Sequence, residues 1–306
     1  MNKKIGLFWL RDDFRISKNN GLIEATTNHD QVVVFYLYKK NTYKYQEAQK
    51  WWLSKSLIYF RKNLNKFNIN LEIIETESFK IFFEKLFKKD DFSFYWNRVY
   101  EPDYLKFDEY LVRNFNNKNV LYKICKGNTL NEVNEIKKND GTPFKVFTPF
   151  WRNAEKYYIE KIPPKEKIIK NCSKSKSYFK NSIDPEEILP NRNWFKHFEN
   201  LWLPNEENAL KQLSNFIKNK ITNYSDSRNF PNIVGTSKLS PFIKFGQIHV
   251  ETIWNECGKI KTKNLGISKF LAEIGWREFN HTLINYFPHM LKNNYSKKFD
   301  QFPWEK

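Results

Sequence analysis

Through the first 125 residues, short apolar blocks alternate with longer amphipathic stretches. Residues 5–10 form an apolar run, and residues 32–37 a second one, β-branched and aromatic. Residues 71–75, 92–96 and 119–125 repeat the pattern, so five strands are predicted. Between them lie an amphipathic stretch over residues 46–67 and a helical pattern over 79–87. A helix is also predicted over residues 102–115, where Tyr104, Phe107, Leu111 and Phe115 share one face. Strands alternating with helices predict an α/β fold built on a doubly wound, Rossmann-like parallel sheet of five strands.

The pattern changes after the fifth strand. Residues 160–200 carry Pro163-Pro164, a Lys/Ser-rich run and then Pro185 and Pro190, which reads as a linker wrapping the surface. From residue 205 the chain turns helical, with segments expected at 206–221, 241–245, 247–257 and 268–287 and a loop over 223–239. No repeat is apparent. The predicted organisation is an α/β domain (1–130), an interdomain linker (131–203) and an all-α domain (204–306).

Charge adds a candidate partner. Among 306 residues, 52 Lys and Arg stand against 34 Asp and Glu, a net charge of +18 at pH 7, which suits a polyanion such as nucleic acid. A compositional bias toward lysine would give the same total. Aromatic residues make up 18% of the chain, ten of them Trp, and such rings fill cores or stack on bases and flavins. Cys125, Cys172 and Cys257 are far apart and suggest no zinc or redox motif. The first apolar run is too short for a signal peptide, and no segment reads as a membrane span, so a soluble, cytoplasmic protein with no membrane partner is expected.

Three stretches carry chemistry. Arg11-Asp12-Asp13-Phe14-Arg15 follows the first strand where glycines would cradle a pyrophosphate, so an ordinary dinucleotide site is not expected there. Gly235-Thr236-Ser237-Lys238-Leu239-Ser240-Pro241 crowds three hydroxyls and a cation before a Ser-Pro helix start. That is either an anion site or a plain N-cap and turn. On the last helix, Glu273, Trp276, Arg277 and Asn280 fall at i, i+3, i+4 and i+7 and share a face suited to a flat polar ligand. The plainer reading is a solvated face with a Glu273–Arg277 pair.

Five motifs, in order, resemble the DNA photolyase/cryptochrome family. They are Leu7-Phe8-Trp9-Leu10-Arg11-Asp12-Asp13-Phe14-Arg15, Asn97-Arg98-Val99-Tyr100-Glu101-Pro102, Phe144-Lys145-Val146-Phe147-Thr148-Pro149-Phe150-Trp151, Arg228-Asn229-Phe230-Pro231 with 236–241, and residues 273–279. The nearest subgroup resembled is the bacterial class I cyclobutane pyrimidine dimer photolyases. The resemblance implies FAD in the helical domain, touched by Tyr224, Thr236, Ser237, Lys238, Leu239, Ser240 and Phe270. It implies catalytic roles for Glu273 and Trp276 against a flipped pyrimidine dimer, electron transfer through Trp304, and DNA contacts from Arg228, Arg277 and Asn280. The implied reaction is light-driven repair of dimers in double- or single-stranded DNA by an electron from reduced FAD, with no metal. A cryptochrome-like photoreceptor and a nucleic-acid-binding remnant are the alternatives.

Relative to the family, the chain is expected to be C-terminally truncated, its helical flavin domain incomplete. The closing helices would then come from a partner chain, the protein otherwise being a monomer. Lys238 stands where the family often has Arg, and Phe270 where some members place Trp. Asp103 and Tyr104 replace the usual Asn and Glu of folate-antenna members, so the antenna stays open between folate, another chromophore and none.

Overall fold

Five parallel strands, the inner ones buried, form the centre of the N-terminal half: β1 (Ile5–Leu10), β2 (Val32–Tyr38), β3 (Asn70–Glu75), β4 (Phe92–Asn97) and β5 (Tyr122–Cys125). Their order is β3-β2-β1-β4-β5, all neighbours parallel. The structure is a computed structural model that describes residues 5–39, 46–89, 91–160, 167–262 and 264–303. Helices α1 (Asn20–Asn28), α2 (Glu47–Asn65), α3 (Phe79–Leu86) and α4 (Pro102–Asn117) supply the crossovers. The central strands are apolar on both faces because helices cover both. Phe8, Leu10, Val32 and Val34 face one core, while Leu7, Trp9, Val33 and Phe35 face the other.

Strand and crossover boundaries match the sequence reading to within a few residues. Helix α1 is an addition: nine residues opened by an Asn19 cap, with a glycine and two threonines inside, too short and too poor in helix formers to register. Beyond β5 come α5 (Phe147–Glu160), α6 (Phe198–Leu201), α7 (Glu206–Asn219), α8 (Tyr224–Ser227), α9 (Ser240–Lys244), α10 (Val250–Gly258) and α11 (Leu265–Tyr286). Within the range assigned to the linker, α5 packs on α11, sharing a core of Phe150, Ala154, Phe279 and Leu283.

The rest of that connection straps the free edge of the sheet. The buried Glu72 carboxylate of β3 accepts from Tyr178 N (2.8 Å) and Phe179 N (2.7 Å), and Ile183 N donates to Ile73 O (2.8 Å). Ser182 forms an antiparallel bridge with Ile74. A sheet edge covered in this way offers no template for another strand.

Two groups of buried and half-buried polar side chains join the sheet side to the helices. Gln247, with no exposed surface, accepts from Trp52 Nε1 (3.1 Å) and donates to Ser56 Oγ (2.9 Å). Arg15 donates to Gly246 O (2.9 Å). Gly246 has φ +62°, and a Cβ there would fall 2.0 Å from Asp12 O, so the approach of the two segments requires glycine. Asn128, past β5, donates to Ile243 O (3.3 Å) and Ile248 O (3.1 Å) and accepts from Val250 N (2.9 Å). Replacing Asn128 by Ala leaves these backbone groups unpaired and is expected to cost about 2–3 kcal/mol, read as a lower urea midpoint with an unchanged slope.

Candidate functional site

In a sheet of this order the topological switch point lies between β1 and β4, where ligands of open α/β sheets bind beyond the carboxyl ends. Here the chain fills the innermost crevice with its own side chains. Asn97, ending β4, accepts from Gly21 N (2.8 Å) and donates to Asn19 Oδ1 (2.8 Å) and to the Asp13 carboxylate. Arg11 forms a forked pair with Asp108, its guanidinium 3.9 Å from the centre of the Trp9 ring. The motif read as a polar turn is thus largely internal, with Arg11, Asp13 and Arg15 all buried. Burial pushes the Asp13 carboxyl up, and Arg15 opposes that shift.

Outward of this plug lies a cleft of about 580 Å³ between the sheet loops and the helices. Asp12, Arg98, Tyr100 and Glu101 line it from the carboxyl ends of β1 and β4, Asn128 from the loop after β5, and Lys244 from α9. Tyr224, Ser237, Ser240 and Phe270 line the opposite side. Helix α11 runs along it with Glu273, Trp276, Arg277, Asn280 and His281. The shared face read from the i, i+3, i+4, i+7 spacing is therefore real and borders the cleft.

The partners of that face differ from the plainer reading. Glu273 pairs with Arg228 of the preceding loop, not with Arg277. This pair, with a hydrogen bond as the leading cause, raises the Arg228 pKa. Arg277 instead turns toward the sheet side and donates to Asn128 O at 2.6 Å, which ties up part of the guanidinium expected to meet DNA. Trp276 is 43% exposed, and its indole stacks on Phe147 of α5, ring centres 3.8 Å apart and planes within 8°. Asn280 is exposed at the cleft rim.

The loop residues separate. Tyr224 and Phe270 are buried against each other and Phe216 while still bordering the cleft. Leu239 is a core residue, and the Lys238 side chain borders a different groove beside Trp202 and Gln212. Thr236 is exposed and is not among the cleft-lining residues. Ser240 is not the cap: it is the first residue of α9, Leu239 holds the cap position without a side-chain bond, and Ser237 Oγ accepts from Leu239 N at 3.3 Å. Lys238 adopts φ +55°, the left-handed turn that permits this geometry. Trp304 lies outside the described residues.

His281 was not anticipated. Its Nε2 is buried without a protein partner, and burial lowers its pKa to about 3, so the ring is neutral. The nearest signal was the motif at 273–279, which ends two positions earlier. The described residues contain no group of three or more His, Cys, Asp or Glu arranged to hold a metal ion, and their three cysteines are free and buried. No described helix is long and apolar enough to cross a membrane.

A family model described as DNA photolyase matches residues 6–167. The deoxyribodipyrimidine photo-lyase of Agrobacterium fabrum is 29% identical over 310 aligned residues, covering 97% of this chain and 63% of that protein. Cryptochrome-2 of Arabidopsis thaliana is 26% identical, covering 100% of this chain and 52% of that protein. The crystal structure of a bacterial class III photolyase from Agrobacterium tumefaciens superposes with a TM-score of 0.88 at 28% identity, covering 100% of this chain and 64% of that one. The chain thus spans less than two thirds of the length of each of these relatives.

Beneath the cleft, Glu278 of α11 is 4% exposed and accepts from Leu130 N (2.9 Å) and Asn131 N (3.3 Å). Burial outweighs Arg277 and these bonds and raises its pKa from 4.5 to about 7. A carboxyl whose folded pKa is raised stabilises the fold only while protonated. Its contribution is complete below pH 4.5 and disappears as pH climbs through about 7. Wild type should lose about 3 kcal/mol across that interval from this group, and Glu278→Gln should flatten the fall. Urea midpoints at several pH values check this, and parallel curves for the two proteins would exclude it.

Proposed function

The chain belongs to the DNA photolyase family, and from that membership we propose that it binds FAD in the cleft and drives the light-dependent splitting of cyclobutane pyrimidine dimers in DNA. The observation that carries this reading is the convergence on one cleft of hydroxyls (Ser237, Ser240), rings (Tyr224, Phe270, Trp276) and the polar face of α11. The donor set suits the cofactor: hydroxyls and cations for a pyrophosphate, flat rings for an isoalloxazine, and in His281 Nε2 a buried polar atom still lacking a partner. Tyr224, Ser237, Ser240, Phe270 and Arg277 would hold FAD. Thr236, Lys238 and Leu239 act at one remove, by shaping the loop. Reduced FAD, when bound, would supply under illumination an electron that opens the cyclobutane ring and is given back once both bonds have broken, so the splitting is redox-neutral overall.

The protein's part is recognition and orientation. Trp276 offers its open face to a flipped pyrimidine, and flipping is easiest at a damaged, poorly stacked pair. Glu273 accepts from a ring N–H of the lesion while Arg228 balances its charge. Asn280 and the free part of Arg277 donate toward base and phosphate oxygens. The net charge of +18 supplies sequence-independent, salt-sensitive attraction to the backbone of single- or double-stranded DNA. Cytoplasmic location and a monomeric state, or association with a second chain, form part of the same reading, and sizing of the purified protein distinguishes the last two. At the two antenna positions, Tyr104 packs on Trp9 and Arg11 inside the α/β domain, and Asp103 is exposed.

The likeness to Cryptochrome-2 along the whole chain favours a flavin photoreceptor as second reading. Illuminating the reduced protein with a dimer-containing oligonucleotide and following dimer loss by chromatography separates the two. Repair is expected, and Glu273→Ala should weaken preference for the dimer about tenfold or more. Flavin photoreduction without dimer loss would replace repair by the photoreceptor, and a protein that binds DNA but no flavin would leave only the remnant.

A further inference from the structure

The proposed function uses Trp276 but not the motif at 144–151, which opens helix α5. Phe147 and Trp151 lie one turn apart on α5, and their rings are parallel within 8°, with centres 6.4 Å apart. Trp276 stacks directly on Phe147, ring centres 3.8 Å apart and planes again within 8°. Phe279 meets the edges of both, its centre 6.0 Å from Phe147 and 5.9 Å from Trp276.

The spacing of the two helices makes this run possible. A Cβ on Gly275 would lie 2.4 Å from Trp151 Cε3, so only glycine lets Trp151 press against the α11 backbone. That contact brings α5 close enough for its preceding turn to place Phe147 flat against Trp276, the residue after Gly275. One indole face is thereby covered, while Trp276 as a whole stays 43% exposed and borders the cleft.

We infer that Phe147 is a positioning residue for lesion recognition: it holds the Trp276 indole in one orientation, so that a single ring face is presented to a flat pyrimidine. The inference rests on the proposed function, in which Trp276 receives the flipped base. An indole already held in place loses little rotational freedom when a base stacks on it, and the stacking energy goes into affinity for the extruded lesion. Undamaged DNA, held by its backbone, gains nothing from this arrangement.

The test compares binding of a single-stranded oligothymidylate carrying one cyclobutane dimer with binding of its undamaged twin, by anisotropy, for wild type, Phe147→Leu, Phe147→Tyr and Trp276→Ala. Phe147→Leu should lose about tenfold of the preference for the dimer at unchanged affinity for the undamaged strand, and Phe147→Tyr should restore it. Hydroxyl-radical footprinting resolved to the Trp276 peptide should show severalfold faster oxidation in Phe147→Leu than in wild type. Gly275→Ala, which acts through Trp151, should give the same two changes and serves if Phe147→Leu fails to fold. Full preference in Phe147→Leu with loss in Trp276→Ala overturns the role of Phe147 and leaves the proposed function standing. Unchanged oxidation of Trp276 overturns the stacking that the inference needs. A wild type without preference for the dimer overturns the proposed function and the positioning role together.

Discussion

Backbone groups that would otherwise be buried and unpaired, where the loops beyond the sheet meet the helices, constrain everything else in this molecule. Asn128, Gln247, Arg15 and Glu278 each place a polar side chain across that junction, and each meets main-chain or buried side-chain partners from the other side. An apolar contact of equal area could slide. A set of directional bonds to named carbonyls and amides cannot, because displacement leaves desolvated groups without partners. The cleft is bounded by these same segments, and its width follows from the junction.

The molecule handles charge in two ways. Most lysines among the described residues are exposed, and the surplus of positive charge acts at long range. Its buried charges are few and paired, as in Arg11 with Asp108, or sit beside main-chain donors, as in Glu278. The crevice that an open α/β sheet commonly offers to a nucleotide is occupied by the Asp13–Asn97–Asn19 cluster. The ligand-sized space has moved outward, onto surfaces that α9 and α11 help to build.

Much of this was legible in the residues. The β-branched and aromatic runs marked the strands because central parallel strands are apolar on both faces. The four-residue face of α11 was legible because it depends only on helical spacing within one continuous segment. What lay hidden depends on distant partners. Nothing near Glu273 announces Arg228, and nothing near Arg277 announces the carbonyl of Asn128, since chain separation carries no periodicity. Helix α1 escaped because its stability comes from packing and an Asn19 cap, not from propensity. Ser240 looked like a cap because Ser-Pro is a common helix start, whereas Leu239 holds that position, directly after the left-handed turn at Lys238.

The Arg228–Glu273 pair has a consequence for how the cleft responds to its medium. A ligand that takes Glu273 as acceptor must share it with Arg228 or break that pair, and both side chains are about a third exposed, within reach of dissolved ions. Added salt loosens the pair and frees the carboxylate while weakening attraction between the basic surface and a polyanion. Ionic strength therefore acts on the cleft with two opposite signs, one local and one global. Discrimination between ligands can sharpen with salt over a range in which total binding declines.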